Sequence, residues 1–138
     1  MTINVHWIDE HKTVLILDLH SGDWGWNELD AAIDKSKEMF NLVEHDVAVI
    51  VLSAPALPVG NGLPHARRAM IDQPAQVKLC VVVGGNMFTR TMNNVLMRLY
   101  PKMRIIFAAS AEEAYKLVAE HGFQIDPKSA DAILRKNA

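Results

Sequence analysis

The sequence predicts an α/β fold: a mixed, mostly parallel sheet of about five strands, with an N-terminal β-hairpin and helices packed against it. Three observations predict it. Unbroken apolar runs at residues 47–52 and 77–83 have strand length and many β-branched residues, the mark of strands covered on both faces. Segments with apolar residues at three- and four-residue spacing lie between such runs. Two strand-like segments near the start are joined by Asp9-Glu10-His11-Lys12, a polar link short enough to imply an antiparallel hairpin.

The elements follow in order. Residues 3–8 alternate apolar and polar, as a strand with one buried face does. Residues 13–19 are more continuously apolar, which predicts a more central strand. After Gly22, Trp24 and Trp26 the period changes. Leu29, Ala32, Ile33, Ser36, Met39 or Phe40, and Val43 recur at three and four, with Asp34, Lys35, Lys37 and Glu38 between them. This is an amphipathic helix of about four to five turns. It starts near Gly25, with Glu28 three residues on, and Asp23 is the competing cap. Residues 47–52 form the next strand. A Pro/Gly-rich loop over 54–62 leads to a short helix from near Leu63, with Pro64 early in it, to about Ile71.

The strand at 77–83 ends at Gly84-Gly85-Asn86. Phe88, Met92, Val95, Leu96 and Leu99 mark a further amphipathic helix that stops at Pro101. Residues 103–108 are a shorter strand. Ser110-Ala111-Glu112-Glu113 is a capping-box signature for a helix running to Gly122. A last polar helical stretch falls around 129–135. No repeat or long linker divides the chain, so residues 1–138 are expected to be one domain, with right-handed crossovers and both sheet faces covered.

Composition narrows the function classes. Half of the 138 residues are hydrophobic, enough for a core without metal or disulfide support. The formal net charge of -2 argues against a nucleic-acid binder, which would carry a basic field. Arg67-Arg68 and Lys102-Arg104 are short clusters that read as solvated charge. The single cysteine, Cys80, sits mid-strand among apolar neighbours, which predicts a buried, unreactive thiol and a reducing compartment. Residues 1–9 carry no signal-peptide pattern, and the apolar runs fall well short of the ~20 residues that span a bilayer. A cytoplasmic protein without stable membrane insertion is the expectation.

No local catalytic motif appears. The six histidines are scattered and make no H-x-x-x-H or H-E-x-x-H pattern, so a metal site would have to assemble from distant segments. Asp18, His20 and Ser21 crowd one strand end, where alternating side chains cannot form a relay among themselves. Asp18 on a central strand is a carboxylate that needs a partner, such as Arg104 or a backbone group. The expectation is no catalytic residue, no metal and no cofactor. Binding is expected where open α/β sheets bind, at the C-terminal ends of the parallel strands. Three loops meet there: Ser53 to Asn61, which includes Gly60; Gly84, Gly85 and Asn86, with Arg90 one turn into the helix that follows; and Ala108 to Ser110. The second loop feeds a helix N-terminus that can receive an anion. Of Trp24 and Trp26, one is expected to anchor the helix on the sheet and the other to stay partly exposed.

Val5-His6-Trp7, Asp9-Glu10, Gly22-x-Trp24-x-Trp26 with Glu28-Leu29, His45-Asp46-Val47-x-Val49-Ile50 and Ala109-Ser110-x-Glu112-Glu113-Ala114 span nearly the whole chain. In this succession the sequence resembles the SpoIIAA-like branch of the STAS superfamily, whose fold is related to the CRAL-TRIO lipid-binding domains. The resemblance implies a binding or regulatory module rather than an enzyme. In the antagonist proteins of that family, a strand ending near Asp-Leu-Ser precedes an Asp-Ser-Ser-Gly loop whose first serine is phosphorylated. Here Leu52-Ser53 is similar to the strand end, but Gly60 stands at the phosphorylatable position, so the phosphoserine switch does not carry over. Ser53 is the one nearby hydroxyl. The expected partner is a regulatory protein or a small apolar or anionic ligand, with homodimerisation as a further expectation. The alternatives are a carrier of a lipid-like molecule and a small enzyme assembled from separate loops.

Overall fold

The computed structural model describes residues 3–8, 10–19, 24–52, 64–65, 68, 74–84, 94, 98 and 105–123. Strands β1 (Asn4–Trp7), β2 (Val14–Asp18), β3 (Val47–Leu52), β4 (Val77–Val83) and β5 (Ile105–Ala108) form one five-stranded sheet in the spatial order β1-β2-β3-β4-β5. β1 pairs antiparallel with β2, Val5 opposite Leu17, as the short polar link requires. The β2–β3, β3–β4 and β4–β5 pairs are all parallel. A register shift at Val47/Ala48 marks the start of the β3–β4 ladder. The expected fold class is thus present as a mixed α/β sheet with an N-terminal hairpin.

Period-two alternation sorts the strand residues between two cores. Leu15, Leu17, Val47 and Val49 face helix α1 (Trp26–Asn41), together with Val5. Val14, Ile16, Ala48, Ile50, Leu79 and Val81 face helix α2 (Ala111–Glu120) on the opposite side. β2 is buried along its whole length, as its continuous apolar run predicts. His65 and Arg68, between β3 and β4 in the chain, lie against α1.

The helix ends follow their caps. Gly25 is the N-cap of α1 and offers no side chain; its carbonyl accepts from the N–H of Glu28 and Leu29. Ser36 is tolerated on the buried stripe because its Oγ donates to the Ile33 carbonyl at 2.7 Å. At α2 the capping box is formed: Ser110 Oγ accepts from the Glu113 N–H at 3.2 Å. The Glu113 carboxylate reaches back to the N–H of Ala109 at 2.8 Å, one residue before the cap. Gly122, at φ 92°, closes the helix in a Schellman motif, with Gly122 N–H on Ala119 and Phe123 N–H on Val118. Replacing Ser110 by alanine should lower unfolding free energy by about 1 kcal/mol. A shift of the urea midpoint with an unchanged slope would register it. No shift would show that water caps the helix equally well.

Candidate functional site

The C-terminal ends of β2 and β3 lie side by side, where the Leu19 N–H donates to the Leu52 carbonyl at 2.9 Å. α1 begins at this same end because the chain turns into it directly after β2. Trp24 is buried, and its indole Nε1 donates to the Leu19 carbonyl at 3.1 Å. It therefore ties the start of α1 to the end of β2. Trp26 is half-buried and meets Trp24 edge to face, with ring centroids 5.7 Å apart at 82°. The division of labour expected of the two tryptophans is what the structure has.

Trp26 carries a second ring. The His65 imidazole stacks on it with centroids 5.1 Å apart and only 9° between the planes. Its Nδ1 lies 2.9 and 3.0 Å from the two carboxylate oxygens of Asp30. Nδ1 thus carries a proton and donates it, and in the neutral ring Nε2 is left with the lone pair. Asp30 is largely shielded and also receives Arg68 Nη1 at 3.3 Å. Arg68 Nη2 donates to Asp34 at 2.8 Å, and Lys37 Nζ donates to the Arg68 carbonyl at 3.0 Å. The Arg68–Asp34 pair is half exposed and adds at most about 1 kcal/mol. Its main effect is positional. It holds the His65 segment on α1, where the stacked Trp26 and His65 rings stand beside the Asp30–Arg68 pair.

No motif in the sequence singles out Asp30, His65 and Arg68, and Arg67-Arg68 reads there as solvated charge. A signal was there: Asp30 and Asp34 repeat at i,i+4 on one predicted helix, and His65 and Arg68 repeat at i,i+3 on the next. Among the other expected positions, Gly84 is described. It takes φ 76°, a conformation that favours glycine, as its N–H bonds the Ala108 carbonyl at 3.1 Å. It turns the chain out of β4, as a tight-turn glycine should. Ser53, Gly60, Asn61, Gly85, Asn86 and Arg90 lie outside the described residues, as do His20, Ser21 and Arg104.

Asp18 is buried at the end of β2, in register with Asn4 and Leu52. His6 stands on β1 opposite Ile16, one pair away on the same face. Burial lowers the His6 pKa, and the Asp18 charge offsets part of that loss. A histidine whose folded pKa is depressed gives a definite sign: below its ordinary value of 6.5 the unfolded chain takes up the proton first. Stability should then be complete above pH 6.5 and decline as pH falls toward the folded pKa. Urea midpoints between pH 7.5 and 5.0 should fall more steeply for the native protein than for His6→Gln. Parallel curves would remove His6 from the acid response. The Cys80 thiol is pushed up to about 12 by burial and stays protonated at neutral pH, so it is no nucleophile there.

Among the described residues, no group of three His, Cys, Asp or Glu side chains is placed to hold a metal ion. None of their helices is long and apolar enough to cross a membrane. The chain matches no family model, and no curated protein or solved structure is significantly similar to it.

Proposed function

We propose that this chain is a STAS-like binding or regulatory module without enzymatic activity, recognising a partner protein at the loop end of its sheet. One observation carries the reading: the half-buried rings of Trp26 and His65 stack on each other, with His65 held by Asp30 and Asp30 by Arg68. Rigid aromatic and arginine groups at a fixed position are the chemistry from which binding hot spots are built. They stand at the end of the sheet where open α/β sheets bind their ligands, and Gly60 at the position that is a phosphorylatable serine in the family it resembles makes that recognition constitutive. Little order is lost on binding, since the salt bridges already hold the surface in shape.

The test is site-specific crosslinking in cells. A photoreactive phenylalanine at position 26 should capture a discrete partner, and the same probe at Lys116, exposed on α2, should not. With the partner in hand, Trp26→Ala should weaken its binding at least thirtyfold, the scale of an aromatic hot spot. Identical adducts from both positions, or full affinity in Trp26→Ala, would remove the loop end from recognition.

A further inference from the structure

A second site lies at the opposite end of the sheet, where β2 and β3 begin. An open cleft of about 420 Å³ is lined there by His11 and Thr13 of the β1–β2 hairpin, His45 and Asp46 of the α1–β3 turn, and His121 and Phe123 at the end of α2. This is within the size range of small-molecule sites. Three of the chain's six histidines meet in it, from segments that are distant in sequence.

The hydrogen bonds already made decide what the walls can offer. His45 Nε2 is 2.8 Å from the Lys12 carbonyl, and a carbonyl accepts only from an N–H. His121 Nδ1 is 2.7 Å from the Leu117 carbonyl and donates likewise. In the neutral rings this leaves His45 Nδ1 and His121 Nε2 as lone-pair acceptors. Asp46 is an acceptor too. The C-terminus of α2, with its partial negative charge, ends at the cleft, and no basic residue stands in its last turn to offset it. Among the described residues, the charged side chains of the three segments are exposed: the carboxylates of Glu10, Glu44, Asp46 and Glu120 against the ammonium of Lys12. The site is therefore rich in acceptors and net negative while its imidazoles are neutral, with an aromatic ring at one side. Among the described residues, no three side chains are arranged around one metal ion there.

We infer that this cleft binds a small organic cation, a primary ammonium or guanidinium on a short aliphatic stem. The cation's N–H groups meet the carboxylate and the two imidazole lone pairs, and the stem rests against Phe123. The inference is independent of the loop-end reading, because its residues share no element end with Trp26 and His65.

Putrescine tests it, with succinate and 1,4-butanediol as anionic and neutral probes of equal carbon length. At pH 8 and physiological salt, putrescine should move the ring resonances of His45, His121 and Phe123 saturably, and the other two should not. Asp46→Asn should weaken binding at least tenfold, while Glu112→Gln, the same charge change in the first turn of α2, should leave it unaltered. Shifts that do not saturate, an equal response to succinate, or equal losses in the two variants would each overturn the inference by reducing the effect to general surface charge.

Discussion

Truncating Phe40 to alanine should cost about 3–5 kcal/mol of unfolding free energy, among the largest effects of any single change on the α1 side. Phe40 is 1% exposed and closes the C-terminal half of the α1 stripe of Leu29, Ala32, Ile33 and Ser36. Its ring meets Trp7 of β1 edge to face, with centroids 6.1 Å apart, so the substitution removes an aromatic pair along with the buried area. Phe40→Leu should recover more than half of the loss by refilling most of the volume. Urea denaturation followed by tryptophan fluorescence measures both variants. A loss under 1 kcal/mol for Phe40→Ala would mean that α1 settles into the space, and that the helix is held chiefly by Trp24 and the Arg68 bridges.

The fold was legible where each side chain answers to one neighbour along the chain. The hairpin follows from a link too short to cross over, and the parallel strands from apolar runs with no polar alternation. Ser110 and Glu113 announce the start of α2, and Gly122 its end, because capping is local chemistry. The boundaries differ by a residue at several strand ends: β1 is Asn4–Trp7 where the pattern spans 3–8, since pairing stops before the apolar character does. The placing of helices was less direct. Periodicity shows that a helix has an apolar face, but the face of the sheet it covers depends on the order of the strands.

The loop end was legible only in its covalently local part. Trp24 and Trp26 draw notice because two large rings flank a glycine at a helix start. The ring that stacks on Trp26 comes from far along the chain: His65 lies 35 residues beyond Asp30, to which it is hydrogen-bonded. Nothing in periodicity joins them, since an ion pair between two helices depends on their relative height. The histidine cleft is the extreme case. Reading the histidines as scattered was correct along the sequence, and the fold brings three of them together through the hairpin turn, the α1–β3 turn and the end of α2. Those turns share one end of a parallel sheet, a consequence of topology rather than of spacing.

Ile50→Ala should cost about 2–5 kcal/mol, comparable with Phe40→Ala but on the other face of the sheet. Ile50 is 0% exposed in β3, flanked by Ile16 of β2 and Val81 of β4, and belongs to the core that α2 covers with Ala114, Tyr115 and Val118. The strand between two paired neighbours has little freedom to collapse into the space, which favours the upper part of that range. Because Phe40 and Ile50 belong to separate core clusters, their losses should add to within about 0.5 kcal/mol in the double variant. A coupling above 1 kcal/mol would show that the sheet transmits strain between its faces. The functional consequences should separate as well. Near the denaturation midpoint, Ile50→Ala loosens the seat of α2 and with it the His121 wall of the cleft. Phe40→Ala loosens the helix that carries Trp26 and Asp30. Putrescine binding should therefore weaken first in the former and partner binding first in the latter, if each site is tied to the helix that builds it.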